Sequence, residues 1–273
     1  LKMINQTKEN YSTLLKIEED MKFLTKSEIR LKILRCLNFS PNSIKEIVKK
    51  TGLTYSSVSS NINKLQKKKK IIKKDNKFQL SHITQINLEN ILDFHKTLEL
   101  IENYEKFWNK HNIDFINHNA QQNLTDLYSA QLIESTSIDI YKTHNTIKKY
   151  LLNSKKIKAI FPYLHPDYPK IIESLLENNG EIELIINDTI YNNLILKIEE
   201  ETRQDAIKNN KLIVHSIKKP VNIYLTSCET HMSLGLFKND GSFDQNRILF
   251  SSSERSIKWG DQLFQDIKNK LVR

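Results

Sequence analysis

The sequence predicts an α+β fold: an N-terminal winged helix-turn-helix, a long linking helix, and a C-terminal mixed α/β sandwich. Three observations carry that expectation. Between Ser43 and Leu80, two short helical stretches flank Thr51-Gly52 and are followed by two strand-like pieces around a lysine-rich turn. From Gln131 onward the pattern changes to alternating strands and helices. Charge is segregated as well: residues 1–80 hold 19 Lys and Arg against 7 Asp and Glu, a surplus of +12, while the 273-residue chain carries +10 and its remainder is slightly negative. The expected divisions are 1–83 for the winged domain with an N-terminal helix, 84–118 for a linking and dimerisation helix, and 119–273 for an α/β regulatory domain.

Residues 1–24 carry Tyr11, Leu14, Leu15, Ile17, Met21 and Leu24 among charges, the pattern of an amphipathic helix that packs on a neighbour or a partner chain. Thr25 with Glu28 reads as a capping box opening the next helix, with Ile29, Leu31, Ile33, Leu34 and Leu37 as its apolar residues, and Phe39-Ser40-Pro41-Asn42 as the break after it. Ser43 with Glu46 is a second capping box, ahead of Ile44, Ile47 and Val48 at helical spacing; Gly52 sits where a glycine ends a helix. Thr54 is a good N-cap for the helix that follows. There Val58, Ile62 and Leu65 share one face, while Ser56, Ser60, Asn63, Lys64 and Lys67 project the other way. Helix, turn, helix and then a hairpin around Lys73, Lys74, Asp75, Asn76 and Lys77 is the order of a winged helix, whose second helix enters a major groove.

Residues 84–110 hold Leu88, Ile91, Leu92, Leu98, Ile101, Phe107 and Trp108, consistent with one long helix whose stripe a second copy could cover. Strands are then expected at 131–134, 157–161, 181–186, 212–217, 221–225, 232–237 and 248–251. Helices are expected near 138–152, 167–178, 189–209 and 254–271, and Asp240-Gly241 is a hairpin turn. Trp259 is expected to pack on the sheet.

The composition excludes several chemistries. No G-x-G-x-x-G, Walker or nucleophile-elbow motif occurs, and five glycines leave little material for phosphate-cradling loops. No histidine pair stands at helical metal-ligand spacing and no C-x-x-C exists, so no metal and no cofactor is expected. Cys36 and Cys228 are far apart, which points to a reduced, cytoplasmic compartment; Cys36 reads as a small buried hydrophobe. With no long apolar run, the chain is expected to be soluble and unexported, with no membrane contact. Two strand ends, Glu134-Ser135-Thr136 and His165-Pro166-Asp167-Tyr168, could line one ligand pocket, Pro166 opening the next helix. A catalytic role for His165, Asp167 and Glu134 is the lesser alternative. A module that bridges proteins is another.

Taken together, SEIRLKILRCL, KEIVKKTGLTYSSVSSNINKL, FWNKHNIDFI, IESTSIDIYK, FPYLHPDY, HMSLGLFKNDGSFD and SIKWGDQLF resemble the archaeal winged-helix transcriptional regulators of methanogens. In that family a methanogenesis-regulatory domain follows an ArsR/MarR-like DNA-binding domain. The resemblance runs from about Ser27 to the end. It implies a sequence-specific regulator, a homodimer on an inverted-repeat operator in double-stranded DNA, with a C-terminal domain that senses a small-molecule effector or mediates assembly. That domain is similar to the phospholipase-D-like effector domains of some archaeal sugar regulators, without the His-x-Lys motif on which catalysis there depends, so no enzyme is expected. The DNA-binding set expected here is Thr54, Tyr55, Ser56, Ser57, Ser60, Asn61, Asn63, Lys64 and Lys67, with Lys68, Lys69, Lys70, Lys73, Lys74 and Lys77 on phosphates. Such regulators usually have Gly just before the first wing strand, where this chain has Lys70, and a positive φ there would cost a lysine something.

Overall fold

The computed structural model describes residues 15 and 17–271, and the chain divides into two compact units, one ending at Phe94 and the other beginning at His95. The expectations for Tyr11 and Leu14 lie outside the described residues.

The first unit starts with helix α1 over residues 17–25 and continues with α2 (Glu28–Phe39), α3 (Ile44–Thr51), α4 (Tyr55–Lys67) and the antiparallel hairpin β1 (Ile71–Lys74) to β2 (Lys77–Leu80). The cap of α2 differs from the expected one. Ser27 receives the Arg30 N–H, while Thr25 ends α1 and its hydroxyl donates to the Met21 carbonyl. Around α3 the reciprocal box forms as expected, and Gly52 closes the helix at φ 70° with its N–H on Val48 O. Leu24, Ile33, Leu34, Leu37, Ile47, Val58, Ile62, Leu65, Ile71, Phe78 and Leu88 form one buried cluster, so every element contributes its apolar face to a single core. Asn42 pairs with Phe78 in both directions, giving the wing a third-strand residue.

Helix α5 (His82–Asn103) opens at Ser81, whose hydroxyl accepts from Thr84 N–H. It is shorter than expected. At Tyr104 (φ −120°, ψ 31°) the helix breaks, a short α6 (Glu105–Lys110) follows, and residues 111–117 are not helical. Around the break the tyrosine hydroxyl donates to Ala130 O at 3.0 Å and Phe107 is fully buried.

The second unit is a seven-stranded mixed sheet, β3 (Gln131–Glu134), β4 (Lys156–Ile160), β5 (Glu181–Asn187), β6 (Leu212–Ile217), β7 (Ile223–Cys228), β8 (Met232–Leu236) and β9 (Arg247–Ser251), in the order β3-β9-β8-β7-β4-β5-β6. Only β4-β5-β6 is parallel; the other pairs are antiparallel, as the two halves of the pattern suggested. Side chains alternate between two clusters. Ile157, Ala159, Ile182, Leu184, Tyr224 and Ile248 join α8 (Lys142–Leu152), α9 (Tyr168–Glu177), α10 (Asp188–Leu194) and α11 (Glu200–Lys208) on one face. Ile160, Ile185, Leu225, Leu234 and Leu249 join α6, α7 (His118–Gln122) and α12 (Glu254–Leu271) on the other. Every residue of β7 and β8 is buried, the signature of strands covered on both sides.

Two local expectations are corrected and two are met. The helix expected over 189–209 is split by a tight turn at Ile195–Lys197, which lets Leu194, Ile195 and Ile198 all face the core. Pro166 does not open α9: the proline in its first turn is Pro169, and the Asp167 side chain makes no cap hydrogen bond. Gly241 (φ 84°) turns the chain after β8 as expected, and Trp259 packs inside with Nε1 donating to Ala120 O at 2.9 Å.

Candidate nucleic-acid interface

Two short helices held by side-chain caps fix the geometry of the basic half. Thr54 caps α4: its hydroxyl receives Ser57 N–H and donates to Ser57 Oγ at 2.9 Å, so both hydroxyls are engaged in starting the helix. Tyr55, Ser56, Ser60, Asn63, Lys64 and Lys67 are exposed, and from Ser56 onward they fall along one stripe. Val58, Ile62 and Leu65 are buried directly behind it. Asn61, expected on the outer face, is buried, and its amide donates to Ser57 O at 2.9 Å; it belongs to the helix's inner side.

The lysines divide the same way. Lys68, Lys69, Lys73, Lys74 and Lys77 are exposed, whereas Lys70 is buried with its ammonium on Asp20 at 3.0 Å and cannot reach a phosphate. The positive φ expected at Lys70 sits one residue earlier, at Lys69 (φ 54°). Lys69 N–H bonds Gln66 O and Lys70 N–H bonds Leu65 O, the two bonds of a Schellman ending. Asp75 and Asn76 both take positive φ, which suits a two-residue hairpin turn. In that hairpin Lys74 stands directly opposite Lys77. Like charges facing across strands destabilise a hairpin, and Lys77 has relief from Glu46, 3.7 Å away.

The expected ligand residues lie in the second unit. From β3 through β9, β8 and β7 to β4 each pairing is antiparallel, so β3 and β4 point the same way and their carboxyl ends emerge at one edge. Glu134 is held by Arg247 Nε at 2.7 Å, Ser135 Oγ bonds Thr143 Oγ1 at 3.0 Å, and Thr136 Oγ1 accepts Asp139 N–H. The next residue on α8, His144, lies 3.2 Å from Asp167 Oδ2, and its ring stacks on His165 at 3.4 Å. Lys148 Nζ reaches the same carboxylate at 2.7 Å. Lys148 and then His144 hold the Asp167 carboxyl down at about 2; burial and the neighbouring His144 push the His165 imidazole below its usual range. Tyr168 departs from the expectation: it is buried in the core, its hydroxyl donating to Tyr163 Oη at 3.0 Å. His144 went unnoticed in the sequence. The signal was there, since a helix following a strand end into this edge must present its first turn to the neighbouring loop.

Behind this edge a buried polar group ties the unit together. His111 lies between Phe107 O (2.5 Å) and Asp244 Oδ2 (3.0 Å), and Arg247 bridges Asp244 to Glu134. Burial pushes the Asp244 carboxyl up, but Arg247, Asn246 N–H and His111 together hold it below its ordinary value.

Residues 140–270 match the model of the middle domain of methanogenesis regulatory protein FilR1, and residues 18–99 that of its N-terminal domain. The methanogenesis regulatory protein FilR1 of Methanothrix harundinacea (strain 6Ac) is 23% identical over 258 residues, covering 91% of this chain and 57% of the relative. The chain thus spans little more than half of that relative's length. Among solved structures it is similar to TrmBL2, described as an archaeal chromatin protein with a novel mode of DNA binding (TM-score 0.40, 13% identity, 88% of this chain and 92% of that one). It is also similar to a phosphatidylserine synthase of Haemophilus influenzae Rd KW20 (TM-score 0.38, 16% identity, 52% and 39%). No described helix is long and apolar enough to cross a membrane.

Proposed function

Because the chain belongs, through both of its matched domains, to the FilR1 methanogenesis regulatory protein family of archaeal transcriptional regulators, we propose that it reads double-stranded DNA through α4 and grips it through the wing. The observation that carries this reading is the stripe of Ser56, Ser60, Asn63, Lys64 and Lys67, open to solvent over a closed apolar core. Short polar side chains let a helix approach base edges, and Asn63 can pair with adenine through both its donor and its acceptor. Lys67, Lys73, Lys74 and Lys77 hold phosphates, adding affinity without sequence information. The protein works in the cytoplasm as a regulator without catalytic activity of its own.

Dimerisation on an inverted repeat fits the first unit. Ile83, Ile86 and Phe94 on α5, with Ile17 and Met21 on α1, are large apolar side chains exposed to solvent. A cleft of about 400 Å³ lies between these helices, lined by Ile17, Asp20, Met21, Leu24, Asn87, Asn90, Ile91 and Phe94. A second copy burying that face would set two recognition helices on half-sites about 10 base pairs apart. The C-terminal unit then senses an effector at the edge formed by Glu134, Ser135, Thr136, His165 and Asp167.

Selection of genomic duplex fragments by the purified chain tests the proposal. Enrichment of a paired motif at that spacing, with altered motif preference in Asn63→Ala, is the expected result. Binding no stronger than to scrambled duplex at physiological salt contradicts it.

A further inference from the structure

The DNA-reading surface leaves one side-chain cluster unused. At the carboxyl edge of the sheet, His144, His165 and Asp167 each offer a ligand atom, and these atoms all lie within 4.8 Å of one another. Three further facts set the cluster apart from an ordinary surface ion pair. All three side chains are half-buried. His144 Nδ1 is buried with no hydrogen-bond partner, which leaves Nε2, 3.2 Å from Asp167 Oδ2, as the hydrogen-bonding nitrogen of that ring. The imidazoles stack nearly parallel, 18° apart in plane, with a cation already on the carboxylate: Lys148 Nζ at 2.7 Å.

We propose that His144, His165 and Asp167 bind a divalent transition-metal ion of the zinc class. Two imidazoles and one carboxylate are the borderline nitrogen and oxygen donors such ions prefer; calcium and magnesium favour oxygen alone. Around a tetrahedral ion with bonds of about 2.1 Å, donors stand roughly 3.4 Å apart, so a cluster spanning up to 4.8 Å contracts on binding. One ring must also turn, because an ion in the plane of one parallel imidazole lies outside the plane of the other. His165 is the ring free to do so: its hydrogen bond is the one Nδ1 accepts from Asp167 N–H at 3.1 Å. Lys148 is the competitor. Its ammonium already neutralises the Asp167 carboxylate through Oδ2, so a metal ion on that carboxylate competes with it. Three protein donors leave the fourth position to water or to an incoming ligand.

The site stands or falls independently of DNA binding, because the test uses metal alone. Zinc chloride is titrated into the 273-residue chain against a chromogenic chelator, and cobalt chloride is followed by its visible absorption. One ion per chain is expected. His144→Ala and His165→Ala should weaken binding at least about tenfold, no less than loss of an outer-shell partner does. His118→Ala, on an exposed helix elsewhere, should change nothing. Lys148→Met should tighten binding up to about fivefold, the equivalent of the roughly 1 kcal/mol of an exposed ion pair. That gain cannot come from misfolding. Wild-type affinity in His165→Ala, or weaker binding in Lys148→Met, overturns the proposal.

Discussion

Replacing Lys73 and Lys74 together with alanine separates what the wing does for DNA from what it does for the fold. Both side chains are exposed, Lys74 faces Lys77 across the hairpin, and neither ammonium has a carboxylate partner among the described residues. Each phosphate neutralised contributes about −0.9 to the slope of log K against log salt, so the double variant loses about 1.8 per chain, or about 3.6 in a dimer. Between 50 and 200 mM salt, the ratio of wild-type to variant affinity should therefore shrink about 12-fold for one copy and roughly 150-fold for two. Fluorescence anisotropy of a labelled duplex across that range measures the slopes directly, and the size of the difference counts the copies. Stability should move the other way. Removing the charge opposite Lys77 relieves repulsion, so thermal unfolding should occur at the same temperature or a little higher. Parallel salt lines for the two proteins would show that the wing does not touch phosphate.

Five other substitutions probe the rest. Asn63→Ala should leave stability unchanged and relax discrimination by about 1–3 kcal/mol at one base position, whereas Asn61→Ala should cost about 1 kcal/mol of stability and leave base choice intact; a motif selection and a chemical melt of each distinguish the two. Lys69→Gly, at φ 54° in a Schellman ending, should stabilise by about 0.5–1 kcal/mol in urea melts. His231 is buried on Phe250 and Tyr150, and burial lowers its imidazole to about 4. Its folded value lies below the unfolded one of about 6.5, so stability is complete above pH 6.5 and falls by up to about 3 kcal/mol as the pH drops to 4. His231→Gln should flatten that limb of the stability curve; an unchanged limb refutes the assignment. Asp244→Asn strips the carboxylate charge facing Arg247 and His111 and should cost about 3 kcal/mol; equal melting temperatures at neutral pH would contradict it.

What could be read from the sequence was whatever depends on local patterns. Ser43 and Glu46 announce their own hydrogen bonds, Gly52 its own φ, and the strand runs from Gln131 onward their own alternation, because each signal lies within a few residues of its effect. The misplacements have one common cause: a partner distant in sequence decided the matter. Lys70 resembles its lysine neighbours until Asp20, 50 residues earlier, takes its ammonium into the core. Asn61 is polar like Asn63, yet it sits where the helix turns toward the apolar cluster, and only the closed core says so. Pro166 looks like the opening of α9, yet the helix starts two residues later, and Lys148 and His144, on a different helix, hold the Asp167 carboxylate just ahead of it.

The same reasoning explains why the outer face of α4 was easier to read than the cluster at the sheet edge. A recognition helix is one element: its outward stripe and its buried stripe are set by the same 3.6-residue period, so naming Val58, Ile62 and Leu65 as core fixes where Ser56, Ser60 and Asn63 must point. The edge cluster draws on the β3–α8 connection, α8 itself and the β4–α9 loop, which share no period. They meet because five strands of alternating direction, β3-β9-β8-β7-β4, return two carboxyl ends to one side of the sheet. A single residue added to the chain between Glu134 and His144 would turn α8 by about 100° relative to its neighbours and carry the imidazole away from Asp167, while leaving every local signal in the sequence intact. Function on a single element can thus be inferred from its pattern, whereas function assembled across a sheet edge depends on loop lengths that no pattern records.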